Sequence, residues 1–443
     1  MFKRFFKKKS KKVVVLGIDG VPCSLLKELS DRDIMPNMAK LIKEGTLSNM
    51  NASIPEVSST SWSTFMTAVN PARHGIYGFM EIDSFDYSWR FPNFHDLKSK
   101  TIWEIASDFD KKSIVINIPS TYPARPLNGM MVAGFVALDL KKATYPEKMF
   151  EYLNRIGYKL DVDASKAATA PDEFVADIDF TFNKRVEAIM YLFENEEWDL
   201  FIGTITETDR LHHYLWEAYL DNSHKYHTFF IDFYRKLDSF IGNLYSRIQP
   251  ETPFIILSDH GFTEIKKEVY LNYYLKELGY LKFSTDNPES FKDISPEATA
   301  FALDPSRIYI HRKTKYSKGP VNDSEANELI EKLKKDFNAL EIDGKKVIKE
   351  IYRKEDIYSG ELLDKAPDLV LLPNDGFDLK GSIKKNTLAD KGALTGGHTR
   401  HNATFYINRK IDPPAEVNIA DVGSTILRLL DIPTEGLDGI ALI

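Results

Sequence analysis

The sequence predicts a doubly wound α/β fold, a mostly parallel central sheet with helices on both faces. Short apolar runs of buried-strand length alternate with longer segments of helical period. Three of those runs end in an acid, at the edge where an open parallel sheet presents its ligands. The chain is also long: 443 residues exceed the roughly 250–300 at which a single core stops growing, so an insertion or a second domain is expected.

The first strand is Val13 to Ile18, and the others are Ser113 to Ile118, Leu200 to Ile205, Phe254 to Leu257 and Thr404 to Ile407. Helical spacing marks 35–45, 62–69, 146–156, 182–195, 207–220 and 224–247, with a closing helix at 419–430. Past Gly261 the texture turns to Lys, Glu, Asp and Tyr, with a polar break at 284–298 and a helix at 323–337. The expected organisation is a basic arm at 1–12, a catalytic core of 13–264 and 391–443, and an inserted cap region at 265–390. Within the cap, Pro367 to Leu372 has the pattern of a strand that could return to the core sheet.

Composition sets further bounds. Hydrophobic residues at 43% and charged residues at 28% are ordinary for a globular chain. The one cysteine, Cys23, excludes an intrachain disulfide and a Cys-rich zinc site, so any metal must be held by His and carboxylates. Residues 3–12 carry seven cations, Lys3, Arg4, Lys7, Lys8, Lys9, Lys11 and Lys12, and removing them from the net charge of −7 leaves −14. With Phe2, Phe5 and Phe6 interleaved, residues 2–12 form either an anchor for an anionic membrane surface or a solvated tail. No apolar run reaches the ~18–20 residues that span a bilayer, and Asp19 spoils a signal peptide. The expectation is a cytoplasmic protein, peripheral at the membrane if the arm binds, with no nucleic-acid partner.

The chemistry lies at the strand ends. Val13–Ile18 runs into Asp19-Gly20, Leu200–Ile205 is followed by Glu207-Thr208-Asp209, and Phe254–Leu257 by Ser258-Asp259-His260-Gly261. Each alone has a structural explanation, since Asp-Gly is a common turn and an acid after a strand a common helix cap. Asp209 and His213 are four residues apart and share one helix face, while His212 points about 100° away. Thr395-Gly396-Gly397-His398 supplies another imidazole, with His401 as its rival. Six donors, Asp19, Asp209, His213, Asp259, His260 and His398, exceed what one ion needs and suit two divalent ions. Nitrogen with carboxylate ligation favours zinc, with manganese as the alternative. Two such ions ~3.5–4 Å apart suit in-line displacement at phosphorus.

Ser58-Ser59-Thr60-Ser61 offers four hydroxyls ahead of an apolar stripe of Trp62, Phe65, Met66 and Val69. A helix amino terminus there would turn its free N–H groups toward phosphoryl oxygens. Elementary physics does not choose among the four, and an N-cap explains them equally well.

These motifs, in this order, resemble the alkaline phosphatase superfamily and within it the type I phosphodiesterase and nucleotide pyrophosphatase branch. The resemblance rests on Gly17-Ile18-Asp19-Gly20, Ser58 through Thr67 leading into Asn70-Pro71-Ala72-Arg73-His74-Gly75-Ile76, Thr208-Asp209-Arg210-Leu211-His212-His213, Ser258-Asp259-His260-Gly261 and Gly397-His398. It implies an alkaline phosphatase-like fold, one ion on Asp19, Asp259 and His260, and the other on Asp209, His213 and His398. It also implies Ser58 as the metal-bound nucleophile, nine residues before Thr67, with Ser59 and Thr60 as rivals and His74 structural. Ala68 departs from the family's usual Gly. Tyr77-Gly78-Phe79-Met80 stands where nucleotide pyrophosphatases place an Asn, which argues against nucleotide substrates. No equivalent of the monoesterase Arg is evident.

The expected function is metal-dependent hydrolysis of small-molecule or lipid-linked phosphoesters, diesters foremost, through a phosphoseryl intermediate. The alternatives are a phosphomonoesterase, a phosphoryl transferase or mutase on the same scaffold, and a non-catalytic membrane-surface binding protein. A sulfatase is disfavoured because Ser58 to Trp62 lacks the Cys/Ser-x-Pro-x-Arg signature.

Overall fold

The computed structural model describes residues 11–443. The membrane expectation for residues 2–12 therefore lies outside the described residues, except for Lys11 and Lys12. Lys11 pairs with Asp431 at 2.5 Å, and Lys12 lies 4.4 Å from the centre of the Trp198 ring.

Eight strands form the central sheet: β1 (Val13–Ile18), β2 (Thr46–Met50), β3 (Ser113–Ile116), β4 (Gly129–Val132), β5 (Thr144–Tyr145), β6 (Leu200–Ile205), β7 (Phe254–Leu257) and β8 (Ala403–Ile407). Their order is β2-β8-β7-β1-β6-β3-β4-β5. The five inner strands from β7 to β4 are parallel. The outer three, β8, β2 and β5, run antiparallel to their neighbours. β1 sits between β6 and β7, so the carboxyl ends of three parallel strands lie side by side.

Alternation along β1 explains the two layers. Val14, Leu16 and Ile18 face one core, closed by the helices Pro171–Asn195, Glu207–Leu220 and His227–Tyr245. Val13 and Val15 face the other, closed by α1 (Ser58–Thr67) and the helix Ile419–Leu429. A strand buried on both faces reads as an unbroken apolar run, as β1 does. Fully burying a Val or Leu side chain contributes about 1.5–3 kcal/mol, so this strand is a stable platform for Asp19.

The helix expected at 182–195 begins earlier, at Pro171, with Asp172 and Glu173 in its first turn. Pro at the first position and acids beside the amino-terminal dipole are ordinary helix-start chemistry. α1 ends in Ala68, whose φ of +54° is left-handed; that conformation strains an alanine and suits a glycine.

Residues beyond the central core form a second sheet. Ala300–Leu303, Arg307–Ile310, Leu369–Pro373 and Ile348–Arg353 pair antiparallel in that order around their own apolar cluster, which includes Phe301, Ile330, Leu333 and Leu371. Leu369–Pro373 therefore does not return to the central sheet: its backbone partners are Arg307–Ile308 and Ile348–Arg353. A short buried apolar run reveals that it is a strand without revealing which sheet it joins.

The strand Gly261–Tyr270 leaves the end of β7 and pairs with Gly396–Thr399 antiparallel and with Gly376–Lys380 parallel. Across the intervening residues it carries the chain's last histidine motif back to the first core. Among the described residues no helix is long and apolar enough to cross a membrane.

Candidate active site

Adjacency of three strands places the first donors. Ile18 lies opposite Ile205, and Gly17 opposite Leu257, so Asp19, the segment 206–209 and Asp259-His260 leave the sheet along one edge. Gly17 is required by close approach: a Cβ there would lie 2.7 Å from the Trp62 ring and 2.9 Å from the Thr204 side chain. That proximity lets Trp62 Nε1 donate to Asp19 Oδ2 at 3.0 Å, while Thr208 Oγ1 donates to the Asp19 carbonyl at 2.6 Å.

α2 (Glu207–Leu220) then supplies a pair one turn apart, with His213 Nε2 3.3 Å from Asp209 Oδ1. His212 turns into the core instead. Its Nδ1 donates to the Gly20 carbonyl at 2.9 Å and its Nε2 accepts from Tyr234 Oη at 2.6 Å. Burial pushes its pKa down to about 3, so it is a neutral support for the Asp19-Gly20 turn.

His398 arrives on the Gly396–Thr399 strand, where it sits opposite Phe262. Its ring stacks on that of His260 with 3.6 Å between centroids. Gly396 permits this hairpin to press on α2, since a Cβ would lie 2.5 Å from the His212 carbonyl oxygen. The rival His401 is half-exposed and bonds to Asn51 Oδ1 at 3.0 Å, apart from the cluster.

The three inward imidazoles share one tautomeric arrangement. His213 Nδ1 donates to the Gly396 carbonyl at 3.0 Å, His260 Nδ1 to the Gly261 carbonyl at 3.0 Å, and His398 Nδ1 to the Glu56 carbonyl at 2.9 Å. Each Nε2 is thereby left to face the carboxylates. Asp209 Oδ1 lies 3.3, 3.9 and 3.5 Å from the Nε2 atoms of His213, His260 and His398. His260 Nε2 is also 3.7 Å from Asp19 Oδ1 and 3.3 Å from Asp259 Oδ2. Asp19 Oδ1, Asp209 Oδ1 and Asp259 Oδ2 are enclosed with no hydrogen-bond partner.

Buried carboxylate oxygens without donors are costly unless a cation meets them. Burial and the neighbouring carboxylates raise the pKa of Asp19, and burial raises that of Asp259. Burial also opposes ionisation of Asp209, but the neighbouring His213, His398 and Arg210 outweigh it and lower its pKa. Burial lowers His213 to about 4 and His260 well below its ordinary value. Two groups could hold a cation, Asp209 with His213 and His398, and Asp19 with Asp209 and His260. Asp209 belongs to both. The donor set, three imidazole Nε2 atoms and three carboxylate oxygens without hydrogen-bond partners, fits divalent ions.

Of the four hydroxyls, Ser58 Oγ is 3.1 Å from His260 Nε2. Ser61 Oγ instead bonds Ser53 Oγ at 2.8 Å, and the hydroxyls of Ser59 and Thr60 are enclosed without partners. His74 lies beyond them, bonded to Thr64 Oγ1 at 3.0 Å and accepting from the Ile76 amide at 3.1 Å. It fixes the loop after α1.

Several contributors were not foreseen from the sequence. Arg210 reaches Asp209 Oδ2 at 3.3 Å and Asp161 Oδ2 at 2.6 Å; its place beside Asp209 was a visible hint. Glu56, whose carbonyl orients His398, has a buried carboxyl with its pKa pushed up to about 7 by burial. Arg185 and Glu207 form an enclosed ion pair at 3.0 Å behind the site, and nothing in the sequence links positions so far apart.

Comparison with solved structures supports the architecture. Phosphonoacetate hydrolase from Sinorhizobium meliloti 1021, in complex with phosphonoformate, superposes with a TM-score of 0.65 at 15% identity, covering 95% of this chain and 96% of that one. Murine ectonucleotide pyrophosphatase / phosphodiesterase 5 gives a TM-score of 0.56 at 14% identity, with 97% of each chain covered. At such identities the likeness is one of fold. No sequence among the curated proteins matches the chain. Residues 13–400 match the sequence model of type I phosphodiesterase / nucleotide pyrophosphatase, and the chain belongs to that family of phosphoester hydrolases.

Proposed function

We propose that the protein hydrolyses phosphodiesters in two steps through a phosphoserine at Ser58. In this reading two divalent ions, zinc first and manganese as the alternative, are held by Asp19, Asp259 and His260 and by Asp209, His213 and His398, with Asp209 Oδ1 lying between the groups. The observation that carries it is the position of Ser58 Oγ, 3.1 Å from His260 Nε2 at the first residue of α1. Ions at such a site supply positive charge beside the reacting oxygens and lower the pKa of a hydroxyl or water.

The chain's own residues account for the rest. Thr60 and Ser61 make the first amide bonds of α1, to the Val57 carbonyl. The amides of Ser58 and Ser59 precede them and are available to non-bridging phosphoryl oxygens at the positive end of the helix. Ser58 Oγ attacks phosphorus, the bond to the leaving alcohol breaks, and the alcohol departs with a proton. The phosphoryl group on Ser58 still carries the second ester substituent; water then attacks its phosphorus, restoring the hydroxyl and releasing the monoester. Trp62 and Thr208 hold Asp19, and the backbone carbonyls of Gly396, Gly261 and Glu56 hold the imidazoles, so little reorganisation is needed in either step.

The cellular setting proposed is cytoplasmic, with residues 2–12 touching anionic lipid, which brings lipid-linked phosphoesters within reach. The test is turnover of bis(p-nitrophenyl) phosphate and p-nitrophenyl phosphate by zinc- and manganese-loaded protein. Diester cleavage, with a Ser58 peptide that carries the p-nitrophenylphosphoryl group after acid quench, is the expected result. Silence against both esters, or a label on another residue, overturns the proposal.

A further inference from the structure

A cavity of about 270 Å³ opens beside His398, with Arg400, Lys349, Asn374 and Thr399 in its lining. Arg400 follows His398 by two residues and is half-buried. A guanidinium carries five N–H donors. Here Nη1 donates to Tyr352 Oη at 3.3 Å, while the enclosed Nε has no hydrogen-bond partner. Thr399 Oγ1 is likewise enclosed and unpartnered. Among the described residues, neither Arg400 nor the exposed Lys349 has a carboxylate within ion-pairing distance. The acids in the same lining are Glu56, enclosed beneath His398, and Asp375, which is exposed.

We propose that this cavity receives the substituent of the ester and selects those that carry a second anionic group, a carboxylate or a further phosphate. The inference rests on the phosphoester-hydrolase reading above, because the cavity shares His398 with the candidate metal centre. Arg400 lies two residues after His398 and lines the same cavity. The guanidinium edge matches the two oxygens of either anion, and Lys349 adds a second, mobile charge. The volume is at the small end for ligand pockets, which suits a short acidic substituent and not a nucleoside.

Ethylphosphonate, 2-carboxyethylphosphonate and ethane-1,2-diphosphonate carry the same unhydrolysable phosphonate and differ in the second group. Calorimetric titration into the metal-loaded protein should show one or both acidic ligands binding on the order of tenfold tighter than ethylphosphonate. The arm that shows the preference identifies the anion. Arg400→Gln and Lys349→Ala should each bring the ratio down severalfold, and the lysine, being exposed, keeps the test decisive if the arginine variant misfolds. A ratio near one in the unmodified protein, or a preference that survives both substitutions, overturns the inference. Bis(p-nitrophenyl) phosphate turnover in the same preparations separates the two levels. An active protein without the preference removes only this subsite, whereas an inactive protein that binds none of the three ligands removes the hydrolase reading with it.

Discussion

The Nε2 atoms of His213 and His398 stand 3.0 Å apart, while both Nδ1 atoms donate to backbone carbonyls. Two neutral imidazoles so arranged would set lone pair against lone pair, so either a proton or a cation must lie between them. In the metal-free protein burial disfavours a charged His398, but the Asp209 carboxylate, 3.5 Å from its Nε2, prevails and raises its pKa. A divalent ion would displace that proton, because metal and proton compete for the same lone pair.

Elemental analysis after zinc loading and gel filtration should give about two ions per chain, and His398→Ala about one, since three ligands per ion leave no spare donor. A variant that still retains two ions would contradict the assignment of His398.

Ser58→Ala should reduce turnover of the diester by at least about a thousandfold while leaving metal content unchanged within a factor of two, because loss of a nucleophile removes a step that other groups do not supply. Ser59→Ala and Thr60→Ala serve as comparisons and should stay within about tenfold of the unmodified rate. Equal losses at all three positions would point to damage of α1 as a whole.

Much of this site was legible along the chain. β1, β6 and β7 read as apolar runs because both of their faces are covered, and the acids after them fall at one edge because the strands are adjacent and parallel. The spacing of Asp209 and His213 likewise survived folding, since an i, i+4 pair on a helix needs no tertiary information. His398 was different. Its place depends on the antiparallel pairing of Gly396–Thr399 with Gly261–Glu264, across more than a hundred intervening residues, and such pairing leaves no local period. The Trp62 bond to Asp19 and the sheet chosen by Leu369–Pro373 were hidden for the same reason: each is decided by partners distant in sequence.

His74 provides a test of pH dependence away from the carboxylates. Its pKa is pushed down to about 3 by burial, from 6.5. Between these values the unfolded chain binds a proton that the native protein does not, so stability falls as pH drops from 6.5 toward 3 and is fully present above 6.5. From pH 7 to pH 5 the loss attributable to this group is about 2 kcal/mol. Urea unfolding of metal-free protein at the two pH values should show His74→Gln flattening the difference by roughly that amount. An unchanged difference would remove His74 as the source.

Arg185 and Glu207 are both fully enclosed, and their ion pair at 3.0 Å holds the first residue of α2, two positions before Asp209. Glu207 Oε2 has no hydrogen-bond partner, so the carboxylate depends on the guanidinium, whose other contacts include the Leu160 carbonyl at 2.9 Å. Removing one member of such a pair leaves a buried charge uncompensated, which costs about 3–5 kcal/mol, whereas replacing both by apolar groups of similar volume is often neutral. Arg185→Met should therefore destabilise strongly, and Arg185→Met with Glu207→Leu should recover most of the loss in a double-mutant cycle of denaturation free energies. The activity of the folded double variant then tells whether the pair also aims Asp209. A kcat restored along with stability would make the pair a matter of stability alone, while a stable variant with one ion fewer and a depressed kcat would show that the enclosed charge sets the start of α2 and, through it, the metal-facing carboxylate.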